Sequence, residues 1–478
     1  MSASEEQAGT PAGRMAVEHR SLVADVTTRA ELDRLSWLDL SNLRVEDRGA
    51  PMHVAAVLFL DRLPVRDSVG MSGLAAVQTS LQAQLHLAPR LRQVLYKPPP
   101  GLGRPVWVDY PGFDIREHVR MRAVSLPGDE TALLRTCAEL YEVPLDRSRP
   151  LWEVWLLTGL AGGRAALLIR LHHVLADGIA ALAMLSALCQ PDAGDPAGAP
   201  RWTPASVPAR RELAADRLVA IRTAVTGLRR PAAAGAWLRR IAGQVAELAR
   251  ERPAPRVSLN APVSGRRQLA LVRTDLALVR TVAHAHGGTV NDAVLTVVAG
   301  GARALLRSRG ELRPAMVVKA SVAVSLRHRP DPLVGGNRVG VLIAPLAVGE
   351  PDASRMLTQI VAATRRRKAR PPYQPSSRLL LRWMIRGMAR QRLVNLLVSN
   401  LPGPPEPVGF AGAQVLEMFQ FGVVQGNVPI SVGALSYAGH LTLGVVADGA
   451  VTDLDVFVAG MTRTLSQFAA RGQAPRQR

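Results

Sequence analysis

The segment Ala165-Ala166-Leu167-Leu168-Ile169-Arg170-Leu171 runs directly into His172-His173-Val174-Leu175-Ala176-Asp177-Gly178. The first part is an apolar run of strand length. Beyond the second part, Ile179 to Cys189 is rich in Ala, Leu and Met, the pattern of a buried helix. The residues between are therefore a strand end, a tight turn and a helix start. Asp177 suits the N-cap, and Gly178 suits a close approach of backbone. Neighbours on a strand point to opposite faces. His172 and His173 are thus expected to face opposite ways, with one able to look into a cavity. Imidazole has an unperturbed pKa of about 6.5, which makes a neutral His a ready general base near neutrality. Two other readings stand beside this one. The pair can be satisfied interior histidines. With Asp177 they can also bind metal, although adjacent histidines are poor co-ligands and no further His/Cys cluster lies near them.

Upstream, Pro150-Leu151-Trp152-Glu153-Val154-Trp155-Leu156-Leu157 follows a proline-punctuated turn and reads as a strand. Gly159 to Gly163 makes a hairpin into the His-bearing strand, so the arrangement is antiparallel beside helices. Met52 to Leu60 is a further strand, after a turn at Glu46 to Pro51. Helices are expected over about 70–88 and 131–140. Residues 190–208 form a Pro/Ala/Gly-rich linker, and 209–252 an Arg-rich helical segment broken at Pro231. In the second half, Gly287-Gly288-Thr289-Val290-Asn291-Asp292 opens a long helix. Gly335-Gly336-Asn337-Arg338 precedes a strand, and Ser399-Asn400-Leu401-Pro402-Gly403-Pro404 ends one. Alternating strands over about 413–447 and a last helix close the chain. The division expected is a tail at 1–30, a first half at 31–190, a linker with basic crossover helices at 191–255, and a second half at 256–478.

A chain of 478 residues is too long for one simple core. Its 48% hydrophobic and 20% charged content is that of a globular protein. The net charge of +21 favours anionic partners: nucleic acid, an anionic lipid surface, or a phosphorylated ligand such as coenzyme A. Nucleic acid is disfavoured, because no binding motif is present and aromatics do not interleave with the basic runs. Cys137 and Cys189 sit in apolar helical patterns, which suits a reducing cytoplasm and gives no sign of a nucleophile. Met1 to Ala16 lacks the apolar core of a signal peptide. No window reaches the roughly 18 apolar residues of a membrane span. The Arg-rich segment at 209–252 reads either as a solvated helix face or as a surface for anionic lipid or an acidic partner. Arg365-Arg366-Arg367-Lys368-Ala369-Arg370 and the amphipathic Arg378 to Arg386 admit the same two readings.

Taken together, these motifs make the chain resemble the bacterial wax ester synthase/diacylglycerol acyltransferase family. That family lies within the coenzyme A-dependent acyltransferase superfamily, alongside chloramphenicol acetyltransferases and peptide-synthetase condensation domains. The resemblance is carried by His172-His173-x-x-x-Asp177-Gly178, Pro150-Leu151-Trp152, Asn291-Asp292, Gly336-Asn337-Arg338 and Ser399-Asn400-Leu401-Pro402-Gly403-Pro404, in that family's order. It implies an α/β fold of two chloramphenicol acetyltransferase-like halves, each a mixed sheet with helices, with a tunnel between them. It also implies transfer of a long-chain acyl group from acyl-CoA to diacylglycerol, giving triacylglycerol, or to a long-chain alcohol, giving wax ester. His173 would be the catalytic base, with His172, Asp177 and Gly178 completing the motif and Asp177 holding the turn through an Arg partner. Asn291, Pro150, Trp152, Ser399 and Asn400 would contact substrate. No cofactor or metal is implied beyond acyl-CoA as substrate. The place of work would be cytoplasmic, at an anionic membrane or lipid-inclusion surface.

The residues suit direct transfer. No G-x-S-x-G elbow occurs, and neither cysteine looks activated. A thiol pKa of about 8.5 makes the leaving thiolate stable enough to need little acid assistance. The rival readings are a same-superfamily acyltransferase with another alcohol acceptor, and a non-catalytic lipid-surface binding protein.

Overall fold

The computed structural model describes residues 32–47, 49, 51–61, 73–188, 202–228, 251–325, 339–369 and 385–472, with isolated positions between 235 and 250. The expected tail, most of the linker, Cys189, Pro231, the Gly335-Gly336-Asn337-Arg338 motif and all but the end of the basic segment 378–386 lie outside these residues.

Among the described residues the helices are α1 (Trp37–Glu46), α2 (Gly73–Gln84), α3 (Ile115–His118), α4 (Glu130–Glu142), α5 (Gly178–Leu188), α6 (Arg210–Leu228), α7 (Leu276–Ala285), α8 (Val290–Ser308), α9 (Ala353–Lys368) and α10 (Leu454–Gly472). The strands of the first half are β1 (His53–Leu60), β2 (Gln93–Tyr96), β3 (Val106–Asp109), β4 (Val119–Ala123), β5 (Trp152–Thr158) and β6 (Ala165–His172). Those that follow are β7 (Arg267–Asp275), β8 (Val318–Ser325), β9 (Val339–Leu346), β10 (Leu396–Pro402), β11 (Gly409–Phe410), β12 (Ala413–Phe421), β13 (Ile430–Tyr437) and β14 (His440–Asp448).

Two six-stranded mixed sheets result, ordered β11-β12-β1-β6-β5-β4 and β7-β14-β13-β10-β8-β9, with β2 and β3 paired apart. In the first sheet β6 lies antiparallel between β1 and β5, and nearly all its residues are buried. A strand covered on both faces is apolar throughout rather than alternating, which is why Ala165 to Leu171 reads as an unbroken apolar run. In the second sheet β10 is parallel to both β8 and β13. The second core forms where α8 packs on α7, α9 and α10, burying Val294, Leu295, Val298, Leu305, Phe457 and Met461.

The two sheets are not drawn from separate stretches of chain. Strands β11 and β12 cross over and complete the first sheet against β1. There β12 lies on β13 and β14, at Gly433 and Gly444, which stand opposite each other in register. A Cβ on Gly444 would stand 2.1 Å from the Gln420 carbonyl oxygen, and one on Gly433 would stand 2.9 Å from Gln420 Cγ. The paired glycines thus form a notch that seats Gln420, whose side-chain amide donates to the Ala434 carbonyl at 2.7 Å. An apolar cluster of Val57, Leu133, Leu168, Phe419, Phe421 and Val446 fills the joint. At its rim Arg273 of β7 bonds Glu417 of β12 at 2.7 Å and also pairs with Glu130 of α4.

Candidate active site

The polar turn sits where β6 ends. His172 pairs with His53 across β1 and β6, and its backbone N–H donates to Leu151 at 2.9 Å. Asp177 caps α5 as its position predicts, accepting the Ala180 N–H at 2.9 Å. From His172 to Asp177 every residue is buried except His173. The two histidines therefore differ as strand alternation requires.

His172 has no free nitrogen. Its Nδ1 accepts the Val174 N–H at 3.0 Å, which leaves the proton on Nε2, 3.2 Å from Glu46 Oε2. A ring with both nitrogens engaged holds the turn and takes no substrate proton. Glu46, at the end of α1, also receives Arg147 Nε at 2.9 Å and Nη2 at 2.6 Å, and the Met52 N–H at 3.2 Å. Burial pushes the Glu46 pKa up, but hydrogen bonds from His172, Arg147 and Met52 outweigh it and bring it from 4.5 down to about 2. The ionised carboxylate is thus built into this corner.

His173 is held by its backbone. Its N–H donates to the Met52 carbonyl at 2.7 Å, and its own carbonyl accepts from Asn42 Nδ2 at 3.4 Å. Glu46 grips the Met52 N–H. One carboxylate therefore positions the His172 ring directly and the His173 backbone through Met52.

Behind the turn the sheet carries buried polar groups with structural partners. His53 Nε2 lies 2.6 Å from the Tyr141 carbonyl, and burial and the nearby Arg170 cation hold its pKa well below the usual value. The Tyr141 hydroxyl donates to the His53 carbonyl at 2.6 Å and lies 2.8 Å from that of Gly422, tying β1 to the end of β12. Arg170 bonds Glu153 at 3.0 Å.

The second half reaches this site through β10. A Cβ on Gly178 would stand 3.1 Å from both Leu401 methyl carbons. Leu401 thus packs on the first turn of α5, and the bare backbone there makes room for it. Leu396 and Val398 of β10 lie in the second core, while Leu401 packs against the first. By alternation Ser399 shares the Leu401 face, which meets the first turn of α5, and Asn400 the opposite face. The pairing of β10 with β8 stops at Val398–Val322, so the parallel strands part where Ser399 and Asn400 begin. Crevices at the carboxyl ends of parallel strands are the usual ligand sites of open sheets.

Pro150 and Trp152 are placed differently from their expected role as substrate contacts. Both are buried; Trp152 donates its indole N–H to the Leu91 carbonyl at 2.7 Å and stacks on His118 at 4.6 Å. With Leu151 receiving the His172 N–H, the Pro150-Leu151-Trp152 motif supports the strand end from below. Asn291 is partly exposed in the first turn of α8. Its neighbour Asp292 is a helix-capping group: it accepts the Thr289 N–H at 2.8 Å and the Thr364 hydroxyl of α9 at 2.6 Å. The basic run at the end of α9 is partly spent internally, since Arg365 donates to the Gly287 carbonyl at 3.0 Å and Arg367 is buried 3.8 Å from Glu251.

Sequence reasoning missed Glu46, Arg147, Asn42 and Leu401. A faint signal for the first existed: Glu46-Asp47 ends a helix, where the macrodipole disfavours acids, so a cation must compensate from elsewhere.

Comparison with known proteins agrees with this geometry. The family model for the wax ester synthase/diacylglycerol acyltransferase catalytic domain matches residues 35–294, and the model for the C-terminal domain of the same enzymes matches residues 335–468. The chain belongs to this family. A Mycobacterium tuberculosis protein named as a probable diacylglycerol O-acyltransferase is 30% identical over 456 residues, covering 92% of this chain and 96% of that one. The wax ester synthase/diacylglycerol acyltransferase of Marinobacter aquaeolei VT8 shares the fold, with a TM-score of 0.66, 22% identity, and coverage of 92% of this chain and 99% of that one. The starter condensation domain of rhizomide synthetase, solved with C8-CoA, superposes with a TM-score of 0.59 at 15% identity, covering 96% and 98% of the two chains. The expected pair of acyltransferase-like halves is thus the fold observed.

Proposed function

We propose that this acyltransferase moves a long-chain fatty acyl group from acyl-CoA to the hydroxyl of diacylglycerol, giving triacylglycerol, and to long-chain alcohols, giving wax esters. His173 is the general base, and no acyl-enzyme forms. The observation that carries this reading is the asymmetry of the turn: His172 is buried with both nitrogens bonded, whereas His173 is the one residue from His172 to Asp177 that is not buried.

In the reaction the His173 imidazole accepts the acceptor hydroxyl proton as the oxygen attacks the thioester carbonyl. The tetrahedral intermediate collapses, the C–S bond breaks, and CoA thiolate leaves. The imidazolium returns the proton to that sulfur. Cys137 is buried, and burial pushes its thiol up to about 12, so it offers no competing nucleophile. Ser399 lies on the face of β10 that meets the α5 turn, which supports a role for it in contacting substrate. The excess positive charge suits the CoA phosphates, and nucleic acid is not a partner. The chemistry calls for no cofactor, so chelated and dialysed enzyme should keep its activity. The enzyme works in the cytoplasm, at an anionic membrane or lipid-inclusion surface where its apolar acceptors reside.

The test is thiol release from palmitoyl-CoA in the presence of diacylglycerol, hexadecanol or short alcohols. His173→Ala should lose about 100-fold or more of the rate while its circular dichroism matches wild type. A His173→Ala enzyme of normal rate removes the mechanism, and release with short alcohols alone removes the acceptor assignment.

A further inference from the structure

The apolar cluster at the joint between the sheets does not fill it. Beside Arg273 a cleft of about 570 Å3 opens between α4, β1 and β12 on one side and β7 and β14 on the other. Small-molecule sites measure roughly 300–1,000 Å3. The apolar lining is Phe59, Leu133, Leu160, Leu271, Leu416 and Phe419. All but Leu416 belong to the joint cluster or pack on it, and Leu416 is 41% exposed. The cleft is remote from the catalytic turn. Phe59 pairs with Ala166, six residues along β1 from the His53–His172 pairing, roughly 20 Å at the rise of a strand.

The acids that line the cleft are answered within the protein. Asp129 accepts the Ala132 N–H at 2.8 Å and caps α4. Glu130 pairs with Arg273, and Glu417 takes Arg273 at 2.7 Å and the Thr442 hydroxyl at 3.1 Å. Arg164 is the charged group without such a partner. Its Nε donates to the Ala161 carbonyl at 3.1 Å, and its guanidinium carbon lies 4.9 Å from the centre of the Phe59 ring. These two contacts hold the side chain, yet its two terminal nitrogens have no acceptor among the described residues. An arginine held in place with its fork free is set to take a planar anion through two parallel hydrogen bonds. One cation beside fixed acids matches a single negative charge. A dianionic head would be repelled by Glu130 and Glu417.

We propose that this cleft binds a long-chain fatty acid, with the carboxylate on the terminal nitrogens of Arg164 and the chain along Phe59, Leu160, Leu271 and Leu416. The carboxylate supplies the one charge that Arg164 lacks. The alkyl chain covers the apolar surface that the joint leaves open, Leu416 included, which is favourable in proportion to the area removed from water. The fatty acid is bound there and not transferred, because the catalytic turn lies at the other end of the β1–β6 pair. This site goes beyond the acyl-transfer reading and does not depend on it.

The experiment is equilibrium dialysis of the full chain against radiolabelled palmitate, hexadecanol and hexadecyl phosphate. The thioether analogue of palmitoyl-CoA is present in excess to fill the reaction site. Palmitate should still bind, at about one per chain. Arg164→Gln should weaken it at least about tenfold, the worth of a charged hydrogen bond, and leave hexadecanol binding unchanged. Leu416→Glu, at an exposed position, should weaken both. Both variants should keep thiol release with a short alcohol within about twofold, since they lie far from the turn. Loss of all palmitate binding on adding the thioether would put the fatty acid in the reaction site and overturn the assignment. Equal palmitate affinity in wild type and Arg164→Gln would do the same, as would hexadecanol or hexadecyl phosphate binding as tightly as palmitate. Turnover that falls in step with palmitate binding would make Arg164 structural and overturn its role. Failure of the thioether itself to bind would count against the acyl-CoA reading and not against this site, which the Arg164→Gln difference then tests alone.

Discussion

Glu46→Gln isolates what one carboxylate does for both histidines. The substitution keeps the shape and removes the charge. If the amide oxygen takes the place of Oε2 it can still accept from His172 and Arg147, but its NH2 then faces the Met52 N–H. If the amide is turned over, it faces His172 Nε2–H and Arg147 instead. Either way a buried donor is unmatched, which costs roughly 1–3 kcal/mol. The carboxyl pKa reflects the same bonds, plus an attraction to cationic His172 that the neutral ring bonded at Nδ1 does not supply, so it gives an upper bound. Its fall from 4.5 to about 2 corresponds to about 3 kcal/mol before allowance for solvent screening, and to about 2 kcal/mol after it. A loss near 2 kcal/mol should therefore appear as a lower urea midpoint at neutral pH. Because the folded pKa lies below the unfolded one, this stabilisation is complete above about pH 4.5 and is lost as pH falls toward 2. The variant should accordingly lose most of its excess instability over wild type in that window. In thiol release, kcat should fall about tenfold or more with KM little changed, since Glu46 acts on the position of His172 and the Met52 peptide rather than on substrate. Wild-type kcat together with a wild-type urea midpoint would refute the positioning argument.

Gly178→Val should drive the Leu401 side chain off the α5 turn, because its methyl carbons lie 3.1 Å from where a Cβ would stand; a cost of about 1–3 kcal/mol and a loss of turnover are expected, both partly restored by adding Leu401→Ala. Gly444→Val meets the Gln420 carbonyl oxygen, which is backbone and cannot turn away, so it should part β12 from the second sheet and lower thermal stability more than Gly178→Val does. Cys137→Ala should keep full turnover, and native wild type should resist thiol-directed reagents at Cys137, because burial pushes that thiol up to about 12; inactivation by such modification, with protection by acyl-CoA, would point instead to an acyl-cysteine route.

What could be read from the sequence, and what could not, follows from range. The β6 run, the turn and the Asp177 cap are local: every contact that defines them lies within a few residues, and each residue type states its role. The two faces of His172 and His173 follow from strand geometry alone. The partner that decides between them does not, since Glu46 lies 126 residues from His172 and nothing in its own neighbourhood names a histidine. Trp152 shows the opposite failure. The family resemblance implied Trp152 as a substrate contact, yet its indole N–H is taken by Leu91 and its ring by His118 and Phe113. The crossing of β12 was hidden because an antiparallel strand carries no mark of which sheet it joins; Gly433 and Gly444 are its trace, and glycines inside strands signal only that some backbone comes close. The same holds for His173. The role proposed for it cannot be seen in its residue type, which it shares with its neighbour; it follows from His172 having spent both ring nitrogens on the fold.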